Sequence, residues 1–164
     1  MNTVQIDHAL RSALNSAGSL NDVFRGTFAL NQVPLVYTLN PPFALVVNTE
    51  PSTQAGDHWI ALFQSDSGQP VDILDTRGDS SRNRDYIHHL LDTLKIEDYR
   101  INRLPLQSVC SSVCGEYCIL YVYCRSVLQW SFHSFLSLFS ETDLYGNDCF
   151  VYDFVHQHFD VLNF

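Results

Sequence analysis

Four residues of this chain have the types and positions for nucleophilic chemistry at a carbonyl: His58, Asp75, Gln107 and Cys114. A cysteine attacks only as thiolate, and a helix N-terminus together with an imidazolium brings its pKa from about 8.5 into a range of roughly 3.5–7.5. Cys114-Gly115 opens a run to Leu128 in which nearly every position except Glu116 and Arg125 is apolar or aromatic. Such a run predicts a buried central helix, with unpaired N–H groups and positive potential at the sulfur. His58 lies in Gly56-Asp57-His58-Trp59, where a polar loop meets an apolar strand. It would hold the proton and return it to a leaving amine, while Asp75, after Ile73-Leu74, would fix the ring's tautomer and stabilise its charged form. The main-chain N–H of Cys114 and the amide of Gln107 would face the developing oxyanion, where losing one donor typically costs roughly 3–4 kcal/mol. Gly115 is expected to let a substrate backbone approach closely. Gly56 and Trp59 are expected at the substrate-binding rim, with Trp59 either over the imidazole or simply buried.

Positioning these groups requires strands that pair and a helix that packs beneath them. Ala44–Val47 predicts a short buried strand, entered through Pro41-Pro42 and left through the polar loop Asn48–Asp57. Trp59–Phe63 and Val71–Leu74, separated by Asp66-Ser67-Gly68-Gln69-Pro70, predict a hairpin that makes His58 and Asp75 neighbours. On this reading Asp72 lies on the opposite strand face from Asp75 and points to solvent, so Asp75 is the preferred acid. Ile6, Ala9, Leu10, Ala13 and Leu14 have helical spacing, with Gly18 as a stop. A second helix is expected over about Asn83–Leu94, capped by Asp79 or Ser80, with Tyr86, Ile87, Leu90, Leu91 and Leu94 on one face. Tyr99–Leu104 alternates as a fourth strand, stopped by Pro105. Helices over about Ser131–Phe139 and Phe150–Phe159 are expected on either side of a Gly146-Asn147-Asp148 turn. Early strands, a central helix and late helices predict an α+β fold in one domain spanning 1–164.

Composition limits the function classes. Of 164 residues, 46% are apolar, and 9 Lys+Arg against 18 Asp+Glu give a net charge of −9. That balance disfavours sequence-independent nucleic-acid binding. Arg77, Arg82 and Arg84 among Asp75, Asp79 and Asp85 read as a solvated mixed-charge loop. No uncharged run is free of proline over a membrane-spanning length, and no basic region precedes an apolar N-terminal stretch, so neither a membrane span nor a signal peptide is expected. The five cysteines, Cys110, Cys114, Cys118, Cys124 and Cys149, are odd in number and clustered late, which fits a reducing, intracellular setting. Their spacing lacks the paired pattern of zinc sites, so no metal is expected. Cys118 is expected in the core and Cys110 in an exposed loop. His88, His89, His133, His156 and His158 read as surface or satisfied-core residues.

The chain resembles the adenovirus endopeptidase (adenain) family, of the same clan as the SUMO-specific proteases. The likeness lies in Gly26-Thr27-Phe28, in Val46-Val47-Asn48-Thr49 leading to Gly56-Asp57-His58-Trp59, and in Gln107-Ser108-Val109 before Cys114-Gly115-Glu116-Tyr117-Cys118, over about Ile6–Trp130. The resemblance implies the order His, acid, Gln, Cys, and so gives His58, Asp75, Gln107 and Cys114 the triad and oxyanion roles. It also implies a papain-like α+β core: a central mixed sheet and a buried helix carrying the nucleophile at its N-terminus. The implied activity is that of a thiol endopeptidase cleaving structural precursors at Gly-containing sites in a virion or in the host nucleus or cytoplasm. Family members are activated by a capsid-derived peptide, tethered through a cysteine on the strand before the Gln, and by DNA. Here no cysteine lies between Lys95 and Leu106, and the chain is acidic. No cofactor is therefore required by the sequence, and a distant viral or mobile-element relative acting as a monomer on a polypeptide is expected. The rival readings are an isopeptidase (deubiquitinase-like) acting on Gly-Gly tails of ubiquitin-like proteins, and a pseudo-enzyme that binds peptides by strand addition.

Overall fold

The segment Phe43–Asn48, Phe-Ala-Leu-Val-Val-Asn, is buried at every position, the signature of a strand covered on both faces. The computed structural model of the chain describes residues 1–18, 23–34, 39–79 and 84–162. Its elements are α1 (Thr3–Ser16), β1 (Phe24–Ala29), a 3₁₀ turn (Leu30–Gln32), β2 (Phe43–Asn48), β3 (Trp59–Gln64), β4 (Val71–Leu74), α2 (Arg84–Leu94), β5 (Tyr99–Ile101), α3 (Cys114–Ser126), α4 (Phe132–Leu136) and α5 (Leu144–His158). The strands form one mixed sheet in sequence order. β2, β3 and β4 pair antiparallel, while the outer pairs β1–β2 and β4–β5 are parallel.

Alternation along the strands divides the core in two. Ala44, Val46, Trp59, Ala61, Phe63 and Leu74 face α1, α3, α4 and α5. Phe43, Leu45, Val47, Ile60, Leu62 and Ile73 face Ile87, Leu90, Leu91 and Leu94 of α2. The α3 helix is buried along most of its length, as its composition requires. No helix among the described residues is long and apolar enough to cross a membrane.

The structure extends or corrects several expected elements. α1 begins at Thr3 because Asn2 and Gln5 form a reciprocal capping box, and Gln5 also donates to the Leu162 carbonyl at 2.8 Å. β1 is a strand that the alternation did not predict, since a register shift between Phe24 and Gly26 breaks the two-residue period. β5 ends at Ile101 rather than Leu104, and α4 covers only Phe132–Leu136. Gly146-Asn147-Asp148 is not a turn between helices but part of the first two turns of α5. Asp143 caps that helix by accepting from Gly146 N at 2.9 Å, and a Cβ at position 146 would lie 2.3 Å from its carboxylate. Asp72 does not face solvent either: α3 covers that side of the sheet, and Asp72 is 1% exposed with Arg125 Nη1 2.7 Å and Arg100 Nε 2.6 Å away. Ser80, Arg82 and Asn83 lie outside the described residues, as does the side chain of Arg84.

Candidate active site

β3 and β4 pair with Ala61 opposite Leu74, and this register carries the residues just outside the paired segment, His58 and Asp75, to one end of the sheet. His58 is held there by Thr49, whose N–H donates to its carbonyl at 2.9 Å. His58 Nε2 lies 2.8 Å from Asp75 Oδ1. That contact leaves Nδ1 for the sulfur of Cys114, which interacts with the His58 ring and receives the main-chain N–H of Trp59. Cys114 is the first residue of α3, so the helix terminus adds its positive potential.

Electrostatics at this point favour a charged pair. Burial pushes the Cys114 thiol up, but the hydrogen bond and charge of His58 and the Trp59 N–H outweigh it and hold the thiol below its ordinary 9.0. Burial pushes His58 down, yet the hydrogen bonds to Asp75 and Cys114 hold the imidazole above its ordinary 6.5. Asp75 is 2% exposed, and burial raises its carboxyl, but His58, Tyr86 and the Arg77 N–H together keep it below 3.8. Cys118, one turn deeper on α3, shows what the site adds: fully buried and without these partners, its thiol is raised well above 9.0.

Several residues around His58 and Asp75 carry no sequence signal of their own. Tyr86, on the apolar face of α2, donates its hydroxyl to Asp75 Oδ2. Arg77 N donates to Asp75 Oδ1 at 3.0 Å, and the Arg77 guanidinium pairs with Asp57 at 2.7 Å. Asp75 is therefore a buried, fully bonded carboxylate and not part of a solvated mixed-charge loop. Asn102 locks its main chain from both sides, accepting from Asp75 N at 2.9 Å and donating to Asp75 O at 2.6 Å.

Gln107 is buried, with Oε1 accepting from Thr76 Oγ1 at 2.6 Å and Nε2 donating to Ser111 O and Ser111 Oγ, each at 3.0 Å. Thr76 directly follows Asp75, so the acid and the glutamine are anchored to one segment. A groove of about 400 Å³ leads to Cys114, with Trp59, Gly56, Asn48, Glu50 and Met1 among its walls. Trp59 is buried and donates from Nε1 to Met1 O at 3.2 Å. Gly56 has φ +81°, and a Cβ there would lie 2.7 Å from Asn48 Nδ2, so glycine is needed for the loop to close on β2. At Gly115 a Cβ would lie 3.0 Å from Met1 Cβ and 3.2 Å from Ile6 Cδ1, so packing of α1 on α3 already accounts for that glycine. All five cysteines are unpaired, with Cys110 and Cys149 exposed. Among the described residues, no group of three or more His, Cys, Asp or Glu is placed to hold a metal.

No protein-family model matches the chain, and no curated protein does. Solved structures do. The crystal structure of the ASFV pS273R protease superposes with a TM-score of 0.59 at 18% identity, covering 98% of this chain and 67% of that one. Its selenomethionine form gives 0.56, also at 18% identity, covering 99% and 68%. A structure of the SUMO protease Ulp1 matches at 0.44 and 12% identity, covering 94% and 79%. The five-stranded mixed sheet, with the buried Cys114 at a helix N-terminus, shares its fold with the ASFV pS273R protease.

Proposed function

We propose that the chain is a cysteine peptidase using Cys114, His58 and Asp75 as its triad and Gln107 as an oxyanion donor. The observation that carries this reading is the chain of contacts from Asp75 through His58 to Cys114 at the end of an open groove. The lowered thiol and the raised imidazole both favour the thiolate–imidazolium form of the pair. Sulfur adds to the scissile carbonyl carbon, and the oxygen takes the negative charge opposite the Cys114 N–H and the Gln107 amide. Collapse breaks the C–N bond as His58 gives its proton to the departing amine, leaving a thioester. Water, deprotonated by His58, then adds to the thioester, and the thiolate leaves. Asp75 holds the ring in line through both steps.

The substrate is the finer part of the proposal: structural precursor proteins of a virus or mobile element, cut at Gly-containing sites. The family resemblance and the likeness to a viral protease support it. Mass mapping of cuts in a peptide library tests the activity. Wild-type protein is expected to cleave, and Cys114→Ala and His58→Ala to lose at least about 10³-fold in rate while remaining folded. Undiminished cleavage by Cys114→Ala would remove the proposal. Preferential covalent capture by a ubiquitin-like probe with a reactive Gly-Gly tail would replace it with the isopeptidase reading.

A further inference from the structure

We propose that Asp148, helped by Asn147, is a positioning residue that sets the place of Gln107 from the first two turns of α5. The inference rests on the peptidase reading for its kinetic consequence. Among the described residues, the side chain of Gln107 is tied to Thr76 and Ser111, so its aim depends on the main chain that carries it. That main chain is gripped on both sides. Leu106 O accepts from Asn147 Nδ2 at 3.1 Å and from the Tyr117 hydroxyl at 3.0 Å, and Ser108 N donates to Asp148 Oδ2 at 3.0 Å. Asp148 Oδ1 lies 3.1 Å from the same Tyr117 hydroxyl, whose single hydrogen is shared between two acceptors. Tyr117 sits three residues after Cys114 on α3. Asp148 therefore bridges the helix that presents the nucleophile and the loop that presents the second oxyanion donor, and it fixes their spacing without touching substrate.

Packing alone does not ask for a carboxylate here. Asp148 is 4% exposed and makes no ion pair among the described residues, an environment in which a charged group is costly unless its bonds are specific. Val151 and Val155 already bury α5 against the core. What the carboxylate adds is an acceptor for Ser108 N–H, next to Gln107 in the chain.

The experiment follows coumarin release from an acetylated Gly-Gly aminomethylcoumarin peptide, alongside the pH profile of Cys114 alkylation by iodoacetamide, mapped by mass. Asp148→Ala is expected to lower kcat about tenfold with KM within about twofold and an unchanged alkylation profile, and Asp148→Asn, which keeps an acceptor, to recover most of the loss. In a Gln107→Ala background Asp148→Ala should cost nothing further. Multiplying losses in that background, or an alkylation profile that moves with kcat, would overturn the proposal. Should Asp148→Ala fail to fold, Tyr117→Phe, which deletes only the shared hydroxyl, is expected to give the same kinetic pattern to a smaller degree, and a kcat equal to wild type would count against it. If the wild-type protein releases no coumarin, the peptidase reading fails separately. Positioning is then judged by the side-chain amide resonances of Gln107 in a ¹H–¹⁵N spectrum, which must shift in Asp148→Ala and in Tyr117→Phe; resonances that stay in place reject it.

Discussion

Two carboxylates three residues apart around β4, Asp72 and Asp75, are almost equally buried and serve opposite ends. Asp72 meets Arg100 and Arg125, and the Arg125 guanidinium also lies 4.5 Å from the centroid of the Phe63 ring. Asp75 meets an imidazole and a phenol. A guanidinium stays charged over the whole working range, so the first cluster is a fixed ion pair that ties β4, β5 and α3 together. An imidazole titrates near neutrality, so the second can take up and release a proton. Burial is common to both, and the partner decides whether a buried carboxylate is structural or chemical.

Breaking the fixed pair should produce the largest effect on stability and none on chemistry. Asp72→Ala strands the buried Arg125 and is expected to cost roughly 3–5 kcal/mol, read as a lower urea midpoint, with the Cys114 alkylation profile unchanged. Replacing both partners, Asp72→Leu with Arg125→Met, should recover most of that loss. A shifted alkylation profile in the single variant would erase the contrast between the two clusters.

Asp75→Asn attacks the titratable cluster and is expected to lower peptidase activity about 10–100-fold. Because Asp75 helps hold His58 above its ordinary 6.5, the variant imidazole loses its proton at lower pH, and the basic limb of the rate profile moves down. Linkage sets the stability window. His58, raised in the fold, contributes stability that is complete below 6.5 and lost as pH rises through its folded value. Asp75, lowered in the fold, contributes stability present above 3.8 and lost as pH falls through its folded value. The stability difference between wild type and variant should therefore peak between about pH 4 and 6.5, and urea titrations across that range check it. A difference that grows toward pH 9 would contradict the assignment.

The contrast between Asp72 and Asp75 also marks how far the sequence could be read. Cys114, His58 and Asp75 stand out because their positions at strand and helix ends follow from local periodicity, whereas Gln107, in the loop before α3, gains its weight only from the joint pattern and the family resemblance; the β3–β4 hairpin and the buried α3 follow from apolar runs. Strand alternation gives the face on which Asp72 lies but not what covers it, and its coverage by α3 is a long-range fact. β1 was hidden by its register shift at Gly26. The start of α5 was hidden by Gly146-Asn147-Asp148, whose poor helix propensity is offset by tertiary bonds from Asn147 and Asp148 and by the Asp143 cap. The links to Tyr86 and Asn102 join segments far apart in sequence, which no local pattern encodes.

Tyr86→Phe sharpens the comparison from within the titratable cluster. It leaves Asp75 Oδ2 without its hydroxyl partner and removes one of the bonds that keep the carboxyl low, so the Asp75 pKa should rise. The expected result is a loss of about 1–2 kcal/mol in stability and a several-fold loss in activity, with the acid limb of the rate profile displaced to higher pH. An unshifted acid limb would mean that Asp75 draws nothing from the phenol.

The smallest effect is expected at Ser111. Both hydrogens of the Gln107 amide are met by acceptors on this one residue, its carbonyl and its hydroxyl. An oxyanion needs one of them, and the hydroxyl is the acceptor that can give way by rotating, because the carbonyl is fixed in the main chain. Ser111→Ala deletes the hydroxyl and keeps the carbonyl, so the amide stays oriented through Ser111 O and Thr76 while one N–H is released toward the groove. On this account kcat rises about twofold with KM unchanged, because the ground-state competitor of the oxyanion is gone. A tenfold fall would reverse the logic: the hydroxyl would then be aiming the amide rather than occupying it, and oxyanion stabilisation would depend on a serine contact as rigid as the ion pair at Asp72.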